Sequence, residues 1–220
     1  MRSVKLLIIG ILISMSTSSV SAAPLKHWGF KLGYTTAKQN WEHDWISNDD
    51  ISLRAGLHAG VFTEWLELRG LSIRASFQYE QKGFEYTFMT ADESGALLGE
   101  MTSPSRLDYI SVPILLKYSV VKDKWVGSFM VGPRLDIFLG ADEGEGNITF
   151  GFEDEYKDLV LGLSAGISVE RKVTSKNWLL VEFQYNYDPF WLYEHTNIAT
   201  GNDFRMKNES FNISIGITMM

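Results

Sequence analysis

Period-two alternation of apolar and polar residues recurs from Trp28 to the C-terminus, and it constrains the fold more than any other feature of the chain. No segment has a convincing 3.6-residue repeat of an amphipathic helix. Residues 211–219 are the clearest case, because Phe, Ile and Met alternate with Asn, Ser, Gly and Thr. Residues 159–170 and 179–188 follow the same rule. Side chains alternate between the two faces of a strand, so the sequence predicts an all-β protein.

The alternation divides into eight predicted strands, and the connections between them alternate in length. Short turns are expected on one rim and long loops on the other. This is the arrangement of an eight-stranded antiparallel up-and-down transmembrane β-barrel. The predicted strands are 28–38, 51–64, 70–88, 105–120, 125–140, 157–172, 177–190 and 208–219, with short connections at 65–69, 121–124 and 173–176 and long ones at 39–50, 89–104, 141–156 and 191–207.

The first 22 residues are predicted to be a secretory signal peptide. Arg2 and Lys5 precede an apolar run at 6–15, and small residues lead to a cleavage site after Ala22. That run is too short for a spanning helix, which needs about 20 apolar residues. The predicted domains are therefore a signal peptide at 1–22 and a barrel domain at 23–220. An exported chain without cysteine fits a bacterial envelope, and the bacterial outer membrane is the expected location.

A soluble periplasmic barrel of the lipocalin type, which binds an apolar ligand, is the alternative with the same alternation. The polar face is rich in Gly, Ser and Gln, which suit the narrow interior of a small barrel better than a solvated exterior. Aromatic residues collect at strand ends, as expected for two girdles at the membrane interfaces. The expected girdles are Trp28, Trp65, Tyr118, Trp125 and Trp178 at the short-turn rim, and Tyr86, Tyr109, Phe138, Tyr187 and Phe190 at the long-loop rim.

Ionisable residues on the polar face are few and nearly balanced, and we expect them to pair inside the lumen. An unpaired charge there would be strongly unfavourable. Such pairing predicts a filled interior rather than a diffusion pore. The predicted lumen charges are Lys31, Arg54, Arg74, Lys117 and Arg134 against Glu80, Asp136, Glu170 and Glu182.

Several motifs resemble those of a known family. The segment 107–118 reads LDYISVPILLKY, the segment 77–83 reads FQYEQKG, and shorter matches are GFKLG at 29–33 and GPR at 132–134. With these elements the chain resembles the PorT-like outer-membrane β-barrel family of Bacteroidota over roughly residues 27–220. The resemblance implies an eight-stranded outer-membrane barrel and carries no catalytic site. The chain departs from many outer-membrane barrels by ending in Thr218-Met219-Met220 instead of an aromatic residue.

The sequence offers little that could carry catalysis. The absence of cysteine removes thiolate metal sites and a Cys nucleophile. His58 is the only histidine within a predicted strand, and it is the one candidate base for an outer-membrane lipid hydrolase or acyltransferase. Its mid-strand position favours a lumen histidine held by polar neighbours. We therefore predict a non-enzymatic protein with no catalytic, cofactor-binding or metal-binding residue and no cofactor.

The long loops concentrate negative charge. They sum to −13, while the chain after cleavage sums to −9, so the remaining residues sum to +4. The acidic run at 142–146 lacks the EF-hand register, and a solvated loop face is the favoured interpretation. The acidic chain is not expected to bind nucleic acid. We expect outer-membrane lipid and the barrel-assembly machinery as partners, and a role for the loops in adhesion, assembly or envelope support, while the sequence names no extracellular partner.

Overall fold

The chain forms nine β-strands in a computed structural model that describes residues 26–42, 51–92, 95–143, 156–196 and 203–220. The predicted signal peptide at 1–22 lies outside the described residues. Within the described part of the chain, no helix is long and apolar enough to cross a membrane. The strands are β1 (His27–Glu42), β2 (Ile51–Leu68), β3 (Leu71–Ala91), β4 (Leu97–Lys122), β5 (Trp125–Glu143), β6 (Leu159–Lys172), β7 (Asn177–Tyr187), β8 (Tyr193–Thr196) and β9 (Asp203–Met219).

Eight of these strands form a closed antiparallel ring in the order β1-β2-β3-β4-β5-β6-β7-β9, and β9 pairs back with β1. The closing seam runs from Trp28 opposite Met219 to Glu42 opposite Arg205. The short strand β8 lies outside the ring and pairs with β9 as a hairpin. The predicted eight-stranded up-and-down barrel is confirmed, and β8 is an addition within the predicted loop 191–207.

The strands extend further at the long-loop end than the sequence predicts. Pairing of β3 with β4 continues to Ala91 opposite Leu97, so most of the predicted loop 89–104 is strand. The turn closes with a 2.9 Å hydrogen bond from the Asp92 N–H to the Ala96 carbonyl. Backbone hydrogen bonds hold this hairpin without a buried apolar face, which is why hydrophobic alternation did not detect it.

The short-turn end is built from tight connections. Arg69 and Gly70 join β2 to β3, and their φ angles of 52° and 84° are both in the left-handed region. Two consecutive positive φ angles are the geometry of a type I′ turn, whose twist matches antiparallel strands. The predicted short connections at this rim are confirmed, although β2 continues three residues beyond Trp65.

The outward face of the ring is an apolar belt. No second layer of the described residues covers these side chains, and a patch of this extent is typical of a surface that lipid covers. The belt excludes the soluble lipocalin-type alternative, whose apolar face would point inward. Its members with at least two fifths of their surface exposed include Leu32, Leu57, Val61, Phe77, Ile114, Leu116, Leu161, Leu163, Ile167, Ile213 and Ile215.

The aromatic girdles are only partly as predicted. Trp28, Tyr118 and Trp125 face outward and are about half exposed at the short-turn end. Tyr109 and Phe138 are instead buried inside the barrel. Each is two residues from a buried polar residue of the same strand, Ser111 or Asp136, and positions two apart share a face.

Candidate functional site in the barrel interior

The lumen holds a first ion cluster near the short-turn end, made of three cations and three carboxylates from six strands. Lys31 contacts Glu182, and Arg74 NH1 lies 2.5 Å from Glu182 Oε2. Lys117 Nζ lies 2.8 Å from Glu64 Oε1 and 2.7 Å from Glu170 Oε1. The members are Lys31 on β1, Glu64 on β2, Arg74 on β3, Lys117 on β4, Glu170 on β6 and Glu182 on β7, none more than 5% exposed.

The two halves of the first ion cluster are joined through Arg74. Its guanidinium contacts Glu64 at 2.5 Å and Glu170 at 3.4 Å, in addition to Glu182. It also lies 4.3 Å from the centre of the buried Phe62 ring. Because every charge in the cluster has an opposite charge within contact distance, the desolvation of each is offset by its partners.

A second ion cluster lies closer to the long-loop end and consists of Glu80, Lys82, Arg134, Asp136 and Asp188. Lys82 Nζ is 2.5 Å from Asp136 Oδ2 and 3.7 Å from Glu80 Oε2. Arg134 Nε is 2.9 Å from Asp136 Oδ1, and its NH2 contacts Asp188. All five side chains are buried. The cluster therefore spans the lumen from β3 through β5 to the residue that follows β7.

Amide side chains fill the space between the two ion clusters. Asn212 and Gln78 each donate to Glu80 Oε1 at 2.9 Å. Gln184 donates to Asn186 at 2.7 Å, and Lys31 donates to Gln184 at 3.4 Å. Polar contacts thus run through the lumen from the first ion cluster towards the second.

One inward glycine makes room for the second ion cluster. A Cβ atom at Gly162 would lie 2.5 Å from Arg134 NH2 and 2.8 Å from Asp188 Oδ1. Both distances are too short for real contacts, so the ends of the Arg134 and Asp188 side chains would have to shift if this residue were alanine. The small residues on the polar face therefore provide the space that large charged side chains from neighbouring strands occupy.

An apolar cluster rich in aromatic rings, here called the aromatic cap, lies beyond the second ion cluster. Phe138 is central to it, with ring centroids 5.5 Å from Tyr109 and 5.4 Å from Tyr156. Trp41 contacts Phe84 edge-on at 5.1 Å, and its indole N–H donates to Gln39 at 2.8 Å. The cap consists of Trp41, Ile51, Phe84, Leu107, Tyr109, Phe138, Tyr156, Val160, Leu192 and Met206.

Eight of the nine predicted lumen charges lie inside the barrel, and Arg54 does not join them. Its side chain is half-buried, and NH1 donates to the Lys82 carbonyl at 3.2 Å. The register of β2 against β3 shifts between Leu53 and His58, which places an extra residue in β2. Because of this extra residue, the alternation that places His58 inward does not place Arg54 inward.

Three lumen charges were missed by the sequence prediction. Lys82 and Glu64 lie at positions two residues from Glu80 and Phe62, so the period-two rule would have placed both inward. Asp188 follows the last residue of β7 and keeps the alternation of Gln184 and Asn186. The observed set within the described residues is five cations against six carboxylates, with Lys82 replacing Arg54 among the cations.

His58 is in the lumen and is 2% exposed. It lies opposite Gly33 on β1 and Glu80 on β3. Neither ring nitrogen has a hydrogen-bond partner among the described residues, so the expectation that polar neighbours hold it was wrong. The described residues contain no group of three or more His, Asp or Glu side chains that could hold a metal ion. Most of the acidic run at 142–146 lies outside the described residues.

Comparisons with known proteins agree with the barrel architecture. The family model described as outer membrane protein beta-barrel domain matches residues 25–190. No curated protein matches the chain.

Among solved structures, the outer membrane protein OprG from Pseudomonas aeruginosa has a TM-score of 0.51 at 8% identity, with coverage of 91% of this chain and 99% of OprG. Neisserial surface protein A has a TM-score of 0.47 at 13% identity, covering 88% of this chain and 98% of that one. The outer membrane protease OmpT from Escherichia coli has a TM-score of 0.41 at 10% identity, covering 91% and 99%. At these identities the likeness to OprG concerns the fold alone.

Proposed function

Since the chain belongs to the outer membrane protein beta-barrel domain family and is located in the bacterial outer membrane, we propose that it is a closed, non-enzymatic barrel that acts through its long loops. In this proposal the short turns face the periplasm and the acidic loops face the outside of the cell. The loops serve adhesion, assembly or envelope support. The motifs at 77–83 and 107–118 support a finer assignment to the PorT-like group.

The observation that carries the proposal is the set of buried, paired side chains in the lumen. Two ion clusters and the aromatic cap occupy successive levels of the interior, and an eight-stranded barrel has room for little more than side chains. An aqueous pore would need more strands or a ring of charges of one sign. The charges here have both signs and are in contact with each other.

Conductance measurements test the closed barrel. We expect the purified protein in planar lipid bilayers to give no sustained current steps of porin size. A general porin inserted under the same conditions is the positive control, and heat-dependent gel mobility verifies that the inserted protein is folded. Large stable channels from the folded protein would refute the filled lumen.

The orientation has its own test, because a chain without cysteine accepts single cysteines as unique labelling sites. Ala96 lies in the exposed turn between β3 and β4, and Lys124 in the exposed turn between β4 and β5. A membrane-impermeant maleimide should label Ala96→Cys on intact cells. It should label Lys124→Cys only after the outer membrane is permeabilised. The opposite pattern would reverse the proposed orientation.

The proposed partners follow from the same surfaces. The apolar belt is in contact with outer-membrane lipid, and the barrel-assembly machinery inserts the chain. Nucleic acid is not a partner of so acidic a protein. Depletion of the central assembly component should reduce the folded form on unboiled gels, while unchanged folding after depletion would count against that partner.

A lipid hydrolase or acyltransferase is the second candidate function, and His58 is the within-strand histidine that the sequence offers as its base. Known chemistry of this kind needs a base within hydrogen-bond reach of a nucleophile and access to lipid. His58 is buried in the lumen and has neither feature among the described residues. The non-enzymatic proposal is therefore favoured.

A further inference from the structure

A row of two cations and one tryptophan crosses the outward face of the barrel at the short-turn end. Lys122 on β4 lies directly opposite Trp125 on β5, and Trp125 lies directly opposite Arg171 on β6. Residues directly opposite each other in antiparallel strands share one face of the sheet. All three side chains are exposed. The Arg171 guanidinium carbon lies 5.2 Å from the centre of the Trp125 ring, so cation and indole are in contact on the lipid-facing side.

The positive charge at this place is not neutralised by neighbouring carboxylates. Lys124 lies in the adjoining turn and is also exposed. Among the described residues, no ion pair includes Lys122, Lys124 or Arg171. Asp123 lies in the same turn, so three cations and one carboxylate leave a net charge of +2. Lys122, Lys124, Trp125 and Arg171 are here called the basic patch.

An apolar groove runs from the basic patch into the apolar belt. The next outward position of β5 after Trp125 is Gly127, which lies opposite Val120 on β4 and Val169 on β6. The two valines are 58% and 49% exposed, and a Cβ at Gly127 would meet nothing within 4 Å. Phe129, the next outward side chain of β5, lies at the far end. The missing side chain at Gly127 therefore leaves a shallow groove between two valines.

The basic patch and the groove together fit a phospholipid better than a soluble anion. Tryptophan rings at a membrane interface lie at headgroup level, and lysine and arginine nearby extend their charged ends to the headgroups. Clustered basic residues at this level attract anionic lipids. The groove begins on the apolar side of the patch, where an acyl chain of the same lipid molecule would run. A soluble anion would leave this groove empty.

We propose that the basic patch and the groove at Gly127 form a binding site for one anionic phospholipid. The headgroup phosphate lies between Lys122 and Arg171, and one acyl chain lies over Gly127. The proposal rests on the contact of the outward face with lipid. In the proposed orientation of the barrel, the bound phospholipid belongs to the periplasmic leaflet, but binding itself does not depend on that orientation.

Native mass spectrometry of the folded protein in detergent tests the site. The probe is dioleoyl phosphatidylglycerol, and the matched zwitterionic control is dioleoyl phosphatidylcholine. We expect retention of a single phosphatidylglycerol, about tenfold above phosphatidylcholine at equal concentration, and less retention as ionic strength rises. Excess glycerophosphoglycerol, the soluble headgroup alone, should not displace the lipid. Equal retention of both lipids, or complete displacement by the headgroup, would overturn the proposal.

Paired charge variants locate the headgroup. Lys122→Gln combined with Arg171→Gln should lower the retention of phosphatidylglycerol about tenfold, because both charges that flank the phosphate are removed. Lys26→Gln combined with Arg69→Gln is the control, since it removes two exposed cations from the same rim outside the basic patch. Equal losses in the two double variants would show a diffuse attraction to the whole rim and would overturn the site.

Gly127→Phe tests the groove. The open space at this position allows the barrel to fold, and heat-dependent gel mobility verifies that it does. We expect the added ring to fill the groove and most of the phosphatidylglycerol to be lost. Gly140→Phe on the same strand is the control, because a Cβ there also meets nothing within 4 Å. Unchanged retention in folded Gly127→Phe would overturn the proposal, whereas the conductance and cysteine-labelling tests of the proposed function would be unaffected.

Discussion

Arg74 on β3 and Glu182 on β7 stand on opposite walls of the barrel, four strands apart in either direction around the ring, and their side chains meet at 2.5 Å in the lumen. This pair therefore crosses the full width of the interior. Lys31 shares the same carboxylate from β1. Side chains in the lumen therefore connect distant strands, in addition to the backbone hydrogen bonds between neighbouring ones.

Removing Glu182 should destabilise the barrel severely. In Glu182→Ala, Lys31 loses its carboxylate and Arg74 loses one of three, and breaking a buried ion pair by deleting one partner typically costs about 3–5 kcal/mol. Urea unfolding in detergent micelles, followed by gel mobility, measures the difference. Glu100→Ala is the control, because Glu100 is exposed at the long-loop end and its charge remains hydrated. Equal stability of the two variants would show that the pairing contributes nothing.

The sequence was sufficient to predict the ring and most of its interior, because the period-two rule determines which face each residue joins once a strand is identified. Lys31, Arg74 and Glu182 were assigned to the lumen on this basis. The rule failed at Arg54, since the bulge between Leu53 and His58 depends on strand pairing that a single strand does not encode. The predicted girdle positions of Tyr109 and Phe138 were wrong, because the same alternation places both side chains in the lumen.

The pairing partners could not be predicted from the sequence. Contact between Arg74 and Glu182 depends on the register of three intervening strands on each side, and hydrophobic alternation is satisfied by any even shift of register. The hairpin extension to Ala91 and Leu97 was also beyond prediction, because its polar residues resemble those of a loop.

Gly162→Ala should destabilise the second ion cluster. The added methyl group would overlap Arg134 and Asp188, and forced repacking of this kind costs about 1–3 kcal/mol. Gly140→Ala is the matched control, since a Cβ there would meet nothing within 4 Å. The test is to measure the free energy of unfolding of Gly162→Ala and of Gly140→Ala and to compare the two values. If Gly162→Ala is as stable as the control, the Arg134 contact with Asp188 does not determine the packing at this level.

Ile215→Arg should test the lipid contact of the outward face. Ile215 lies in the middle of the apolar belt and is 56% exposed, and an arginine near the bilayer midplane costs about 2–4 kcal/mol. Val173→Arg at the short-turn rim should cost only about 0–1 kcal/mol, because arginine there reaches the interface. Unfolding in lipid vesicles provides both values. A similar small effect at both positions would mean that Ile215 is not in contact with the hydrocarbon core.

Phe138→Ala should destabilise the aromatic cap by about 3–5 kcal/mol, the usual range for deleting a buried aromatic ring. Its neighbour Leu139 is 43% exposed on the outward face, and Leu139→Ala should have a smaller effect because it creates no internal cavity. Thermal unfolding of the two variants gives the comparison. We also expect Phe138→Ala to remain non-conducting, because both ion clusters still fill the lumen below the cap.

His58→Gln tests the enzymatic alternative. If His58 is a structural lumen residue, hosts that produce the wild type, His58→Gln or no protein should have the same lipid A and phospholipid composition by mass spectrometry. An acyl modification that is present with the wild type and lost in folded His58→Gln would identify His58 as part of a catalytic site.

Pairing of β1 with β9 has a consequence for how copies of the protein could associate. Fifteen residue pairs close this seam, so the ring offers no free strand edge to a neighbour along its length. Association within the bilayer must then use outward side chains alone. Among the described residues, β8 pairs only with β9. As far as the described residues show, addition of a strand from another molecule is therefore restricted to the region beyond the ring, where one edge of β8 pairs with none of them.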